Sequence, residues 1–315
     1  MWKMKKSLIG NLILLLAAVI WGFAFVAQVL GVESGLGPVS FNAIRFALGA
    51  LTLIPVILIF DRKKEGEDNK TLIIGSLISG VFLFGAANLQ QYALTVNANP
   101  GFAGFITALY TVWTPILYLL IFKKKTSLNV WIAVGVSILG FYLLCMTGNG
   151  GISFGLDVIL LLISTVLWAA QILSVDYFVG KVSALKLSFG EYAVCAILSF
   201  VYAFIFENDT LTLATIDGAK WSILYCGILS VGVAYTLQVV GQKMTNPVFA
   251  VIIMSTESVF SAVGGVLWNL LVPVALHVNQ DISAVGYVGC AVIFAGVVIS
   301  QVDFSALIEK IKVRR

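Results

Sequence analysis

Apolar residues run along this chain in long unbroken stretches, interrupted by short polar or basic segments. Ten stretches, at 8–30, 38–60, 71–92, 99–122, 128–146, 155–177, 186–206, 218–240, 246–269 and 283–302, each approach the roughly 20 residues that an α-helix needs to cross a hydrocarbon core. Transmembrane strands would instead show alternating segments of about 10 residues. The pattern predicts an all-α integral membrane protein with ten transmembrane helices.

Composition enters by exclusion. Of 315 residues, 60% are apolar and 11% charged, against about 25% charged in a soluble domain. Too few charges remain to build a water-exposed surface, which excludes a soluble enzyme, a nucleic-acid binder and a disordered chain. Cys145, Cys195, Cys226 and Cys290 lie far apart without a CxxC spacing, and His277 is the single histidine. Neither a disulfide framework nor a zinc site is expected. No GxxxxGK[ST] loop is present, so ATP is not the direct drive, and no cofactor is expected.

The basic residues set the orientation. With the N-terminus inside, 17 of the 19 Lys and Arg residues fall on the interior side, from Lys3, Lys5 and Lys6 to Lys310, Lys312, Arg314 and Arg315. Lys220 falls in an exterior loop and Arg45 within a span. Both termini are therefore expected in the cytoplasm. The first apolar run follows basic residues as a signal peptide does, but no small-x-small cleavage site follows it, so it is read as a span.

A shift of 147 residues superposes Trp21 on Trp168, Gly80 on Gly227, Gly85 on Gly232, Gln91 on Gln238 and Asn99-Pro100 on Asn246-Pro247. A repeat of five helices is odd in number, so its second copy enters the membrane from the opposite face. Such inverted repeats are built by secondary transporters, with substrate near the midplane between the halves. The expected units are 1–147, 148–302 and a basic cytoplasmic tail, 303–315.

Polar residues inside the spans are costly in lipid and therefore informative. Thr107, Tyr110, Thr111, Thr114 and Tyr118 share one face of the fourth helix; the same shift turns that face into Met254, Glu257, Ser258, Ser261 and Gly265 on the ninth. The third and eighth helices add Asn88, Gln91 and Thr95, and Tyr235 and Gln238. The first and sixth add Trp21 with Gln28, and Trp168 with Gln171. Any one of these can serve as a hydrogen bond between helices, or line a wet cavity. Coincident stripes on symmetry-related helices favour the cavity, expected to be lined by Trp21, Gln28, Asn88, Gln91, Tyr110, Thr114, Trp168, Gln171, Tyr235, Gln238 and Glu257.

Glu257 lies roughly 16 Å into its helix, near the middle of a ~30 Å core, where a carboxylate must pair, face water or hold a proton. It is read as a substrate-ammonium ligand or a titrating proton site, or else as a protonated packing group. Arg45, on the order of 10 Å below a helix end, either snorkels to the interface or acts as a gate that pairs with Glu257 or holds an anionic group. Glu191 is read as a partner of Lys186 or Lys181 in preference to a transport role. Asn99-Pro100 and Asn246-Pro247 suit helix starts, and Pro115 is the candidate bend in the fourth helix.

Two five-helix inverted halves, a Trp in the first helix of each, the Phe41-x-x-x-Arg45-Phe46 run and the segment Glu257-Ser258-Val259-Phe260 together resemble the drug/metabolite transporter superfamily, EamA-type, over 8–302. The resemblance implies a bacterial-type inner-membrane carrier, an exporter of amino acids, drugs or other small metabolites, with a central cavity and alternating access. Where the family often has Pro after the ninth-helix Glu, this chain has Ser258 and so no proline to kink that helix.

The expected function is a secondary transporter for a small molecule, embedded in the lipid bilayer as a monomer or homodimer, without nucleic-acid partners. If protons drive it, Glu257 is the carboxylate best placed near the midplane. A lipid-linked substrate carrier or flippase is the alternative. A channel fits the inverted repeat less well, and an intramembrane enzyme lacks the parts of a reaction centre.

Overall fold

A computed structural model describes residues 2–61, 68–123, 126–144, 154–280 and 282–301. Arg62, Lys63, Lys64, Lys124, Lys125, Cys145, the expected 147/148 boundary and the basic tail 303–315 lie outside the described residues. The helices are α1 (Trp2–Glu33), α2 (Pro38–Phe60), α3 (Asn69–Val96), α4 (Pro100–Phe122), α5 (Leu128–Leu144), α6 (Leu156–Val179), α7 (Ala184–Phe206), α8 (Lys220–Gln242), α9 (Pro247–Leu271) and α10 (Ala284–Gln301). Among the described residues there is no strand. Eight helices, all but α5 and α10, are long and apolar enough to cross a membrane. The shorter apolar α5 and α10 pack mainly against each other.

The bundle is apolar outside, and its apolar core also holds buried polar side chains. Leu58, Phe60 and Leu120 are largely exposed, whereas Gln91, Thr114, Gln171 and Glu191 are fully buried. Helices approach closely where side chains vanish: a Cβ on Gly80 would stand 2.6 Å from Val194 Cβ, and one on Gly227 2.7 Å from Leu48 Cδ2. These glycines draw α3 onto α7 and α8 onto α2.

Helix starts follow the expected chemistry. Asn99 accepts a hydrogen bond from the Phe102 amide at 2.9 Å and Asn246 one from Val248 at 3.0 Å, each with Pro in the first turn. The start of α2 is capped from a distance. Glu207, just past the end of α7, accepts from the Val39 amide (3.2 Å), the Ser40 amide (2.7 Å) and the Ser40 hydroxyl (2.9 Å). At the opposite ends of the same two helices Ser183 donates to Asp61. A carboxylate there satisfies amides that have no partner within the helix and complements the helix dipole. Glu207→Ala is therefore expected to lower stability by about 2–4 kcal/mol, read by unfolding in detergent, because three buried donors lose their acceptor.

Packing between α1–α5 and α6–α10 is reciprocal. α3 packs on α6 as α8 does on α1; α3 packs on α7 as α8 does on α2; α4 packs on α6 as α9 does on α1. The pairs α2–α7, α4–α9 and α5–α10 map onto themselves.

Two of the long helices are interrupted at corresponding places. α4 breaks between Thr107 and Tyr110, and α9 between Met254 and Glu257, 147 residues on. At both, the backbone tightens to three-residue hydrogen bonds, such as Thr111 N to Ala108 O (3.1 Å) and Ser258 N to Ser255 O (3.1 Å). Pro115 is not what both have in common, because α9 carries no proline after its first residue, and yet it breaks at the matching residue. A further irregularity, not foreseen from the sequence, is the π-helical run Tyr225–Tyr235 within α8.

Candidate functional site

The breaks in α4 and α9 face one cavity. Thr107 and Tyr110 from α4, and Met254 and Glu257 from α9, line it together with Trp21, Phe25 and Gln28 of α1, Arg45 of α2, Gln90 of α3, Trp168 and Ile172 of α6, and Ser230, Tyr235 and Gln238 of α8. It encloses ≈ 450 Å³ of unfilled space, of which ≈ 40 Å³ admits the centre of a water-sized sphere. At about 10–15 Å³ per water that is room for roughly three waters. So narrow a space admits a larger molecule only if helices move.

Its wall is aromatic, with amides between the rings. Tyr235 sits edge-on to Trp21 (centroids 4.7 Å apart), stacked on Trp168 (5.9 Å) and 5.9 Å from Phe46. Trp168 Nε1 donates to Gln90 Oε1 at 2.9 Å, and Gln90 Nε2 to Gln28 Oε1 at 3.4 Å. Trp21 Nε1 donates to the Ser230 carbonyl at 3.3 Å, within the π-helical run. The wider turn there accompanies a backbone acceptor turned toward the cavity, a common use of π-bulges.

A basic and an acidic side chain share this space. Arg45 is 2% exposed; its guanidinium lies 5.6 Å from the Phe41 ring and 5.1 Å from the Phe46 ring, and its Nε has no hydrogen-bond partner. The side chain turns into the protein and does not snorkel outward. Glu257 is 5% exposed and opens the second half of α9, where the amides of Ser258, Val259 and Phe260 are taken up by the carbonyls of Ser255 and Thr256. Arg45 and Glu257 are not joined in an ion pair. Tyr235 lies within electrostatic reach of both. The Tyr110 hydroxyl, buried near Glu257, makes no hydrogen bond of ordinary geometry.

Of the eleven expected cavity residues, Trp21, Gln28, Tyr110, Trp168, Tyr235, Gln238 and Glu257 line the cavity. Asn88, Gln91, Thr114 and Gln171 do not, and each is taken up in bonds between or within helices. Asn88 accepts from Asn42 (2.7 Å) and donates to Ser199 (3.1 Å); Gln91 donates to the Gln28 carbonyl (3.1 Å); Thr114 bonds back to the Tyr110 carbonyl (2.8 Å). Gln171 donates to Glu191 at 3.0 Å. Gln90 takes the place expected of Gln91, its neighbour in sequence about 100° around the helix. Phe25, Ile172 and Ser230 were not foreseen; a lone apolar residue or serine in so apolar a chain carries no distinguishing signal.

The family model described as "EamA-like transporter family" matches residues 8–146 and again 156–302. An "Uncharacterized transporter" of Archaeoglobus fulgidus is 28% identical over 275 residues, covering 85% of this chain and 82% of the relative. The "Uncharacterized transporter YoaV" of Bacillus subtilis is 26% identical over 245 residues, 74% of this chain and 78% of the relative. One crystal structure, at 18% identity, superposes with a TM-score of 0.69 over 93% of this chain and 96% of its own.

Proposed function

Because the chain belongs to the EamA-like transporter family, we propose that it is a ten-helix secondary carrier of the cell membrane, built from two inverted halves with both termini cytoplasmic. The reciprocal packing and the matching breaks in α4 and α9 support the two-half reading. Its substrate is a small amphipathic zwitterion, and its proposed direction is outward.

The single observation that carries the substrate class is the pair Arg45 and Glu257 lining one narrow cavity, buried and not joined to each other. Uncompensated charge in a membrane core costs several kcal/mol, and such residues mark substrate or ion paths. A molecule carrying a carboxylate and an ammonium compensates both at once, Arg45 taking the former and Glu257 the latter. Between the charges, Trp21, Trp168 and Tyr235 enclose the apolar body while Gln28, Gln90 and Gln238 supply polar contacts. The two halves then rock about this midplane site.

The lipid-linked alternative draws less support. The grooves beside α9 and α10, and beside α1 and α8, hold no charged side chain, and the groove between α2, α3 and α7 holds one, Lys186, against the two of opposite sign in the cavity.

Counterflow in proteoliposomes tests the reading with a labelled panel of apolar and aromatic amino acids, their methyl esters and their N-acetyl forms. Saturable exchange is expected for the zwitterions and to fall about 30-fold or more for either blocked form, since each leaves one buried charge unmet. Exchange indifferent to blocking, or none with any zwitterion from folded protein, removes this substrate class.

A further inference from the structure

A second carboxylate lies within the bundle, outside the cavity lining. Glu191 on α7 is fully buried, about 10 Å into its helix from Ala184. Among the described residues it forms no ion pair, contrary to the expectation of Lys186 or Lys181; Lys181 instead rests over the Tyr177 ring at 3.3 Å. Glu191 Oε2 accepts from Gln171 Nε2 at 3.0 Å, whereas Oε1 has no partner. Gln171 Oε1 in turn accepts from Gln238 Nε2 at 3.2 Å, and Gln238 lines the cavity with its own Oε1 unpartnered.

We propose that Glu191 is a proton-carrying site, separate from the substrate cavity, whose protonation is relayed to the cavity wall through Gln171 and Gln238. The chain of bonds has a direction. Each amide donates toward Glu191, the arrangement that an ionised carboxylate demands because it can only accept. A proton on Oε2, the oxygen that faces Gln171, makes the carboxyl a donor at that contact. Gln171 then presents its oxygen to Glu191 and its nitrogen to Gln238 Oε1, the acceptor now left without a partner. Gln238 in turn frees its N–H groups for the cavity. Proton uptake at Glu191 thus converts the end of the relay that faces substrate from acceptor to donor: both amide hydrogen bonds reverse, and no covalent bond is made or broken other than to the proton.

The surroundings suit a single titrating group. On its own helix Tyr192 and Cys195 lie within electrostatic reach, as does Tyr235 of α8; Arg45 of α2 acts on Cys195 and Tyr235. α3 presents Gly80, whose absent side chain lets it press to 3.0 Å from the Glu191 carbonyl, and α6 presents Gln171. The purpose of the site rests on the carrier reading; its titration does not.

The test uses the whole protein in liposomes and needs no transport substrate. Dicyclohexylcarbodiimide, an apolar reagent for protonated carboxyls, is applied across a pH series and located by peptide mass spectrometry. Labelling at Glu191 is expected below its titration midpoint, to fall about ten-fold per pH unit above it, to persist in Glu257→Gln and to vanish in Glu191→Gln. Tryptophan fluorescence, to which Trp21 and Trp168 contribute among the seven tryptophans of the chain, is expected to include a step that titrates with the same midpoint in wild type. That optical step should be lost in Gln171→Leu, while the pH-dependent labelling of Glu191 remains. Thermal unfolding confirms that each variant is folded. Absent or pH-independent labelling at Glu191 overturns the proton site, and a fluorescence step that survives Gln171→Leu overturns the relay. Either failure leaves the counterflow result untouched.

Discussion

Arg45→Met is expected to abolish saturable exchange of substrates bearing a carboxylate while raising the unfolding temperature of the purified protein. Both effects have one cause. A guanidinium that is 2% exposed and has no ion pair is held in the core at a desolvation cost. Replacing buried charged groups with apolar ones of similar volume is neutral or stabilising by about 1–4 kcal/mol. Against that stand the contacts with the Phe41 and Phe46 rings, worth about 0.5–2 kcal/mol. The net gain expected is on the order of 1–2 kcal/mol. Exchange should fall by about 30-fold or more, since losing one side of a buried charge contact costs about 2–5 kcal/mol.

Arg45→Lys separates charge from shape. It keeps the cation but loses the planar fork that grips a carboxylate at two points, so exchange should weaken with a higher half-saturation concentration and no gain in stability. If Arg45→Met instead lowers the unfolding temperature and leaves exchange intact, the arginine is a packing element between α2 and α8, and the substrate need carry no anion.

The helix positions were legible because lipid imposes a single rule, an apolar run long enough to close its own backbone bonds. Charge served the same way for Glu257 and Arg45, since each had to be accounted for wherever the fold put it. Amides were less legible. Gln90 and Gln91 are adjacent, and the repeat singled out Gln91 by its match to Gln238; yet the halves use the matched residues differently, one bonding a backbone carbonyl and the other lining the cavity. Glu191 was misread because lysines lay nearby in sequence, whereas a helix turns them onto other faces. The broken helices illustrate a further limit. Proline suggested where α4 bends, but the break falls where α4 and α9 face each other across the cavity, a relation between distant segments that no local signal encodes.

That same junction yields the second large effect. Gly22→Ala is expected to destabilise the protein by about 2–4 kcal/mol, although alanine is the better helix former by about 1 kcal/mol. A Cβ at Gly22 would collide with Phe260 Cβ and stand 2.8 Å from the Phe260 carbonyl carbon and 2.9 Å from the Glu257 carbonyl oxygen. Backbone atoms cannot swing aside, so α1 and α9 must separate, and with them Trp21 and Glu257, which line the cavity. Gly264→Ala, in α9 of the same interface, supplies the contrast. Its nearest neighbour is Phe23 Cδ1 at 3.1 Å, a ring that can rotate, and the gain in helix propensity should leave stability within about 0.5 kcal/mol of wild type. Unfolding of both variants in mixed detergent measures the difference, and counterflow on the folded fraction measures the displacement. Equal stability of the two would mean that α1 and α9 are not locked together at Gly22 and that the cavity wall they share is free to open there.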